Sequence, residues 1–182
     1  MITNTRGKLN EAKYFLKRMK ESYSQIDVFG YNLRAFLSAA RSVTFIMQKE
    51  FDKVSGFSIW YACKQTEMKA NPVMNYLYEQ RNQTLHVRPI QPKAKITVNA
   101  TATVNSSFTI CLVGTGEAIQ TVGIESMSSK TLGGNVETNI AYSFIDFPGK
   151  DVLTICQEDV SELEKIVDEC ESKFGSLLYT EK

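Results

Sequence analysis

Leu9, Ala12, Leu16, Met19 and Tyr23 recur at alternating steps of four and three, which places them on one stripe of a helix. Asn4 or Thr5 is the expected N-cap of that helix. The same rhythm returns with Leu33, Phe36, Ala40, Val43 and Met47, predicting a second helix from about Asp27 to Phe51. Gly56 marks a turn, and Phe57, Trp60, Tyr61 and Met68 share one side of a third helix. "ANP" then restarts the chain. Asn71 is placed to cap, and Pro72 stands at the first helical position, where its missing N–H costs nothing. The fourth helix is expected to end at His86, because Pro89 biases Arg88 toward an extended backbone. Short connections between the four imply antiparallel neighbours.

Beyond the stiff segment "VRPIQPK" the period changes from helix to strand. Ile96, Val98, Ala100, Ala102 and Val104 alternate with polar residues, and Phe108, Ile110 and Leu112 return as a hairpin partner across "NSS". A third strand is expected around 118–125. Val136, Thr138, Ile140, Tyr142 and Phe144 alternate as another. Asp151 follows "FPGK" and is read as the cap of a last helix, on which Cys156, Val160, Leu163, Val167, Cys170 and Phe174 form a stripe that Gly175 ends. The expected fold is α+β: an antiparallel four-helix bundle, then a small antiparallel β-sheet, then a long C-terminal helix. The expected domains are residues 1–88 for the bundle and 89–182 for a β unit covered by the last helix.

Apolar content of 43% and charged content of 23% are ordinary for a globular chain of 182 residues. No uncharged apolar run reaches bilayer-spanning length, and the first residues carry no secretory apolar core, so no membrane is expected and the reading is cytoplasmic. Cysteines 63, 111, 156 and 170 have no CxxC spacing and only one histidine to join them, so neither metal nor cofactor is expected; buried free thiols are the reading. "GTGEAIQTVG" lacks dinucleotide-binding spacing and reads as a strand-connecting turn. The apolar stripe of the last helix is expected to pack on the sheet or on the bundle, and its acidic residues read as solubilising.

Charge is unevenly spread. Residues 1–90 hold 14 Lys/Arg against 7 Asp/Glu, a balance of +7, while residues 91–182 hold 7 against 13, a balance of −6. The first half is basic enough to attract a polyanion, or else the two halves attract each other.

In that basic half the fourth helix ends in "RNQTLH", residues 81 to 86, and His86 is the only histidine. Arginine presents a permanent two-pronged donor to a phosphate, and histidine moves protons near neutral pH. The stretch resembles the Arg-x4-His signature of the HEPN superfamily, four-helix domains that include metal-independent ribonucleases, many of them toxins or defence effectors. The resemblance covers about residues 5–88. It implies RNA cleavage by 2′-hydroxyl attack, with Arg81 on the scissile phosphate, His86 transferring a proton and Asn82 orienting one of them. It also implies a neutralising protein partner, although Arg88 stands where some members carry a modifiable tyrosine.

One histidine fills one protonic role at a time, so a homodimer is expected to complete the site. On a straight helix five residues rotate by about 140° and rise about 7.5 Å, so Arg81 and His86 converge within one chain only if the helix breaks before His86. The alternative to catalysis is a non-catalytic interaction module for a protein or nucleic acid. In that reading Arg81 reaches a carboxylate such as Glu50 or Asp52, His86 satisfies the last helical carbonyls, and Asn82 is solvated. Arg34, Ser38 and Arg41 of the second helix are further candidates to join a site.

Overall fold

The computed structural model describes residues 3–86, 92–102, 106–115, 118–122, 135–144 and 146–179. The fold is α+β and divides into two compact units. One takes Met1–Ile90 together with Leu153–Lys182, and the other takes Gln91–Val152.

The helical unit holds α1 (Asn4–Glu21), α2 (Ile26–Phe51), α3 (Phe57–Ala70), α4 (Pro72–His86) and α5 (Val152–Phe174), followed by a short 3-10 turn at Leu177–Tyr179. The stripes read from the sequence are its core: Leu9, Ala12, Met19, Leu33, Phe36, Val43 and Met47 are all fully or almost fully buried. Gly56 precedes α3 with φ +81°, a left-handed conformation that a side chain would strain. Asn71 caps α4 as its position predicts, its Oδ1 accepting from the N–H groups of Val73 at 3.0 Å and Met74 at 3.2 Å.

The N-terminus of α1 differs from the expected cap. Thr3 holds that place, its hydroxyl accepting from the Arg6 N–H at 2.9 Å. Glu50, from the far end of α2, completes the cap by accepting from the backbone N–H groups of Asn4 and Thr5, each at 2.8 Å. A carboxylate at a helix N-terminus satisfies orphan donors and meets the positive end of the helix dipole, so Glu50 fastens α2 to α1.

The last helix groups with α1–α4, one of the two packings open to its apolar stripe. Its polar faces explain why. The Arg6 guanidinium donates to Glu171 and to Asp168, Lys13 pairs with Glu164, and Trp60 Nε1 donates to Glu169 Oε1 at 2.8 Å. These acids bind across to α1 and α3 and are not merely solubilising.

The second unit is one five-stranded antiparallel sheet in the order β3-β2-β1-β4-β5, with β1 Lys93–Ala102, β2 Ser106–Thr115, β3 Ala118–Val122, β4 Asn135–Phe144 and β5 Phe147–Asp151. The alternation read from the sequence sets its register: Ile96 lies opposite Leu112 on one side and Ile140 on the other, and Ala100 lies opposite Phe108 and Val136. Val104 lies outside the described residues. Thr115 at the end of β2 pairs with Ala118, while Gly116 and Glu117 of "GTGE" lie outside the described residues.

β5 covers "FPGKD", which the sequence marks only as the approach to the cap of the last helix. Pro148 and Gly149 are poor strand formers, and β5 tolerates them because it is an edge strand; its pairing with β4 is irregular at Ser143/Phe144. Gly149 has φ +104°.

Candidate functional site

The residues of "RNQTLH" lie on an unbroken helix. α4 continues to His86, its final residue, so the break that would turn Arg81 toward His86 within one chain is not formed. Arg81 Nη1 donates to Asn82 Oδ1 at 3.3 Å, which brings those two residues together. The side chain of His86 lies outside the described residues. Among the described residues Arg81 pairs with no carboxylate, and its buried Nε has no hydrogen-bond partner. Glu50 is engaged at the head of α1, so it is not the counter-ion suggested by its sequence position.

Two other features carry chemistry. The first is the outer face of α2. Tyr31, Arg34, Ser38, Arg41, Phe45 and Lys49 follow one another at steps of three and four, which confines them to an arc of about 80° running about 27 Å along the helix. Its aromatics are unusually exposed: Tyr31 by 61% and Phe45 by 51%. Cations lie over each of them, the Arg34 guanidinium 5.1 Å from the Tyr31 ring centre and Lys49 Nζ 5.9 Å from that of Phe45. Tyr78 of α4 joins the same surface under Arg41, at 4.9 Å. No acidic residue falls in α2 between Asp27 and Glu50. Arg34, Ser38 and Arg41 were legible as candidates; Tyr31 and Phe45, which flank them, were not, because only the packing of the neighbouring helices leaves those rings exposed.

The second feature is a cavity of about 440 Å³ between α2, α3, α4 and α5. Leu37, Tyr61, Leu77 and Leu163 are its buried lining, and the exposed Gln65, Lys69, Asn75 and Glu79 stand where it meets solvent. Asp159 lines it too and is only 5% exposed. Among the described residues no hydrogen bond or ion pair engages its carboxyl, and burial alone pushes it up to about 7. The sequence did carry a signal for this residue. Asp159 sits three positions after Cys156 and four before Leu163, on the apolar stripe itself, where a carboxylate is out of place.

Among the described residues no group of three or more His, Cys, Asp or Glu is arranged to hold a metal ion, and no helix is long and apolar enough to cross a membrane. Cys156 is buried, and Cys170 is a buried free thiol as expected, which burial with nearby Glu171, Glu50 and Glu169 pushes up to about 12. Cys63 departs from that reading and is exposed.

Comparison with known proteins places the chain elsewhere than its motif does. Protein ea47 of Escherichia phage lambda is 36% identical over 76 residues, which are 41% of this chain and 18% of that protein. The chain therefore spans less than a fifth of the relative's length. No solved structure matches. A family described as bacteriophage lambda protein ea47 matches residues 2–100, and no HEPN family does. That match takes in the whole helical segment that resembles HEPN domains, "RNQTLH" included, and overturns the resemblance. On a continuous helix five residues turn the backbone by about 140°, so an Arg-x4-His spacing is not by itself a marker of that family. With the match spanning more than half of its 182 residues, the chain belongs to the family of bacteriophage lambda protein ea47.

Proposed function

We propose that this chain is a non-catalytic interaction module that binds single-stranded RNA along the outer face of α2. The observation that carries this reading is the row of exposed aromatics, each with a cation over its ring. Such a surface suits a strand whose phosphates are neutralised by Arg and Lys while its bases stack on the rings, without dependence on sequence. The +7 balance of residues 1–90 supports it. The scaffold we infer for it is an antiparallel four-helix bundle of α1–α4 closed by α5, working in the cytoplasm. The test is binding of a labelled uridine tract to the full chain at several salt concentrations. Affinity should fall with salt, and the log–log slope should shrink by about 0.7 for each phosphate contact removed in Arg34→Ala or Arg41→Ala. Tyr31→Ala should weaken binding by roughly 5- to 100-fold, the worth of one stacked base. No binding, or equal binding by all four proteins, would sink the proposal.

Metal-independent RNA cleavage is a second reading, favoured by one observation. The Arg81 guanidinium spends one donor on Asn82 and leaves its Nε unused among the described residues, an arrangement compatible with a phosphate ligand. With α4 unbroken, this reading needs a homodimer in which His86 of one copy serves Arg81 of the other. It is tested by cleavage of a mixed RNA pool in EDTA, which should drop about a hundredfold or more in both His86→Ala and Arg81→Ala. A neutralising protein partner belongs to this reading alone.

A further inference from the structure

The α2 surface leaves the cavity beside α5 without a role, and its composition is specific. Leu37, Leu77 and Leu163 make it apolar in depth, Tyr61 and Tyr78 give it aromatic walls, and one buried carboxyl, Asp159, lines it without a partner among the described residues. Burying a carboxylate without a counter-charge is costly, and stable folds pair such groups or protonate them. A cavity of about 440 Å³ is within the usual size of small-molecule sites, which are mostly apolar with a few placed polar groups.

We propose that this cavity binds a small organic monocation, its apolar body lying among the leucines and tyrosines and its ammonium pairing with the Asp159 carboxylate.

The charged groups around the cavity fit one positive charge at depth. Arg41 on α2 is already engaged, its Nη1 donating to Thr44 Oγ1 at 2.6 Å and its guanidinium lying over Tyr78. Lys69 on α3 and Glu79 on α4 are exposed and of opposite sign. Neither they nor Arg41 displaces the Asp159 carboxyl from what burial alone sets. A second positive charge on the ligand would lie toward Arg41 and Lys69, which is why a monocation is preferred over a polyamine.

Binding is coupled to a proton. Below pH 7 the neutral acid must release its proton to solvent as the ammonium arrives, giving carboxylate and ammonium side by side with charge conserved. Affinity should therefore rise about tenfold per pH unit up to about 7 and level off above it.

The test uses the full chain and three indoles of similar shape: tryptamine, neutral 3-ethylindole and anionic indole-3-propionate, titrated by calorimetry at pH 6 and pH 8. Tryptamine should bind at least tenfold more tightly than 3-ethylindole at pH 8, and should lose most of that advantage at pH 6. Asp159→Asn keeps shape, removes charge and should make tryptamine and 3-ethylindole bind alike. Met68→Trp, at the half-buried rim, should weaken both and leave the carboxyl in place. Preference for the neutral or anionic indole, a tryptamine advantage that survives Asp159→Asn, or failure of all three to bind at millimolar concentration would each overturn the proposal.

Discussion

The two ends of α5 treat acidic residues in opposite ways. Toward its C-terminus Glu169 is surrounded: Trp60 Nε1 donates to it at 2.8 Å, Lys173 at 2.6 Å, and Lys64 lies 2.8 Å away, which together hold its carboxyl down at about 2. One residue pair further on, Glu171 takes the Arg6 guanidinium and the Thr3 hydroxyl. Ten residues before Glu169, Asp159 is buried with no such partner among the described residues and is pushed up to about 7. The same residue chemistry thus serves as a fastening at one end and as an unmatched group beside a cavity at the other. Satisfied charge accounts for how the helix is held. Unsatisfied charge, enclosed by apolar walls, is where a ligand has something to supply.

The fastened end should fail hardest when its aromatic packing goes. Phe174 is 8% exposed and meets Trp60 at 5.5 Å and Phe57 at 5.7 Å between ring centres, with Phe57 stacked in turn on Phe51 and Tyr61. Phe174→Ala should cost about 3–5 kcal/mol in urea unfolding. A loss under about 1 kcal/mol would mean that the ion pairs, and not the rings, hold this end.

Next comes the unmatched end, with the reverse sign. An Asp159 that keeps its proton to about pH 7 when folded, but releases it near its ordinary 3.8 when unfolded, makes the native state the stronger proton binder between those values. Stability is then fullest below about pH 4 and falls as pH rises toward 7, by a few kcal/mol at most, on the order of 3. Asp159→Asn should remove that slope and leave the protein more stable than the parent at pH 8. If the variant melts earlier at pH 8, the carboxylate is paired after all and the contrast between the two ends dissolves.

Arg6→Ala should have a smaller effect, about 1–2 kcal/mol. Its partners Glu171 and Asp168 differ, with Glu171 partly buried and Asp168 largely in water where screening leaves little. Asp168→Ala should therefore be nearly silent while Glu171→Ala reproduces most of the loss, both read by denaturant midpoint.

How far the sequence announces this molecule follows from the range of each interaction. The helical stripes and the registers of β1, β2 and β4 depend on periods of a few residues, so they are legible: Leu9 to Met19 and Leu33 to Met47 are buried as their spacing implies, and Asn71 caps where it should. Glu50 capping α1, and α5 joining the helices, depend on residues 45 or more apart, and no local period records them. β5 was hidden because an edge strand admits a Pro-Gly pair that strand propensity disfavours. The candidate site is harder to read for a related reason: "RNQTLH" is a pattern along the chain, and α4 runs through it without a break. The α2 stripe and Asp159 are patterns on faces; each was visible in the spacing, but exposure decides their meaning, and exposure is set by the neighbours.

Glu169 offers the subtlest way to sharpen the comparison. Its carboxyl is held at about 2 chiefly by Lys173, then Lys64 and Trp60, and in the unfolded chain it returns to about 4.5. A depressed acid contributes stability that is present above the unfolded value and is lost as pH falls through the folded one, so its window runs from about 4.5 down to about 2, overlapping only the acid edge of that of Asp159 and opposite in sign. The side chain is a third exposed, so water and salt discount the ion pairs, and Glu169→Gln should cost less than about 1 kcal/mol at pH 7. Gln keeps an oxygen for the Trp60 N–H, which isolates the loss of charge from the loss of that hydrogen bond. The loss should shrink further in 1 M salt, where the Debye length falls to about 3 Å. Set beside Asp159→Asn, the two amide substitutions on one helix should move neutral-pH stability in opposite directions. Should both destabilise, Asp159 is a second fastening, and the cavity loses the one group that distinguishes it from a packing gap.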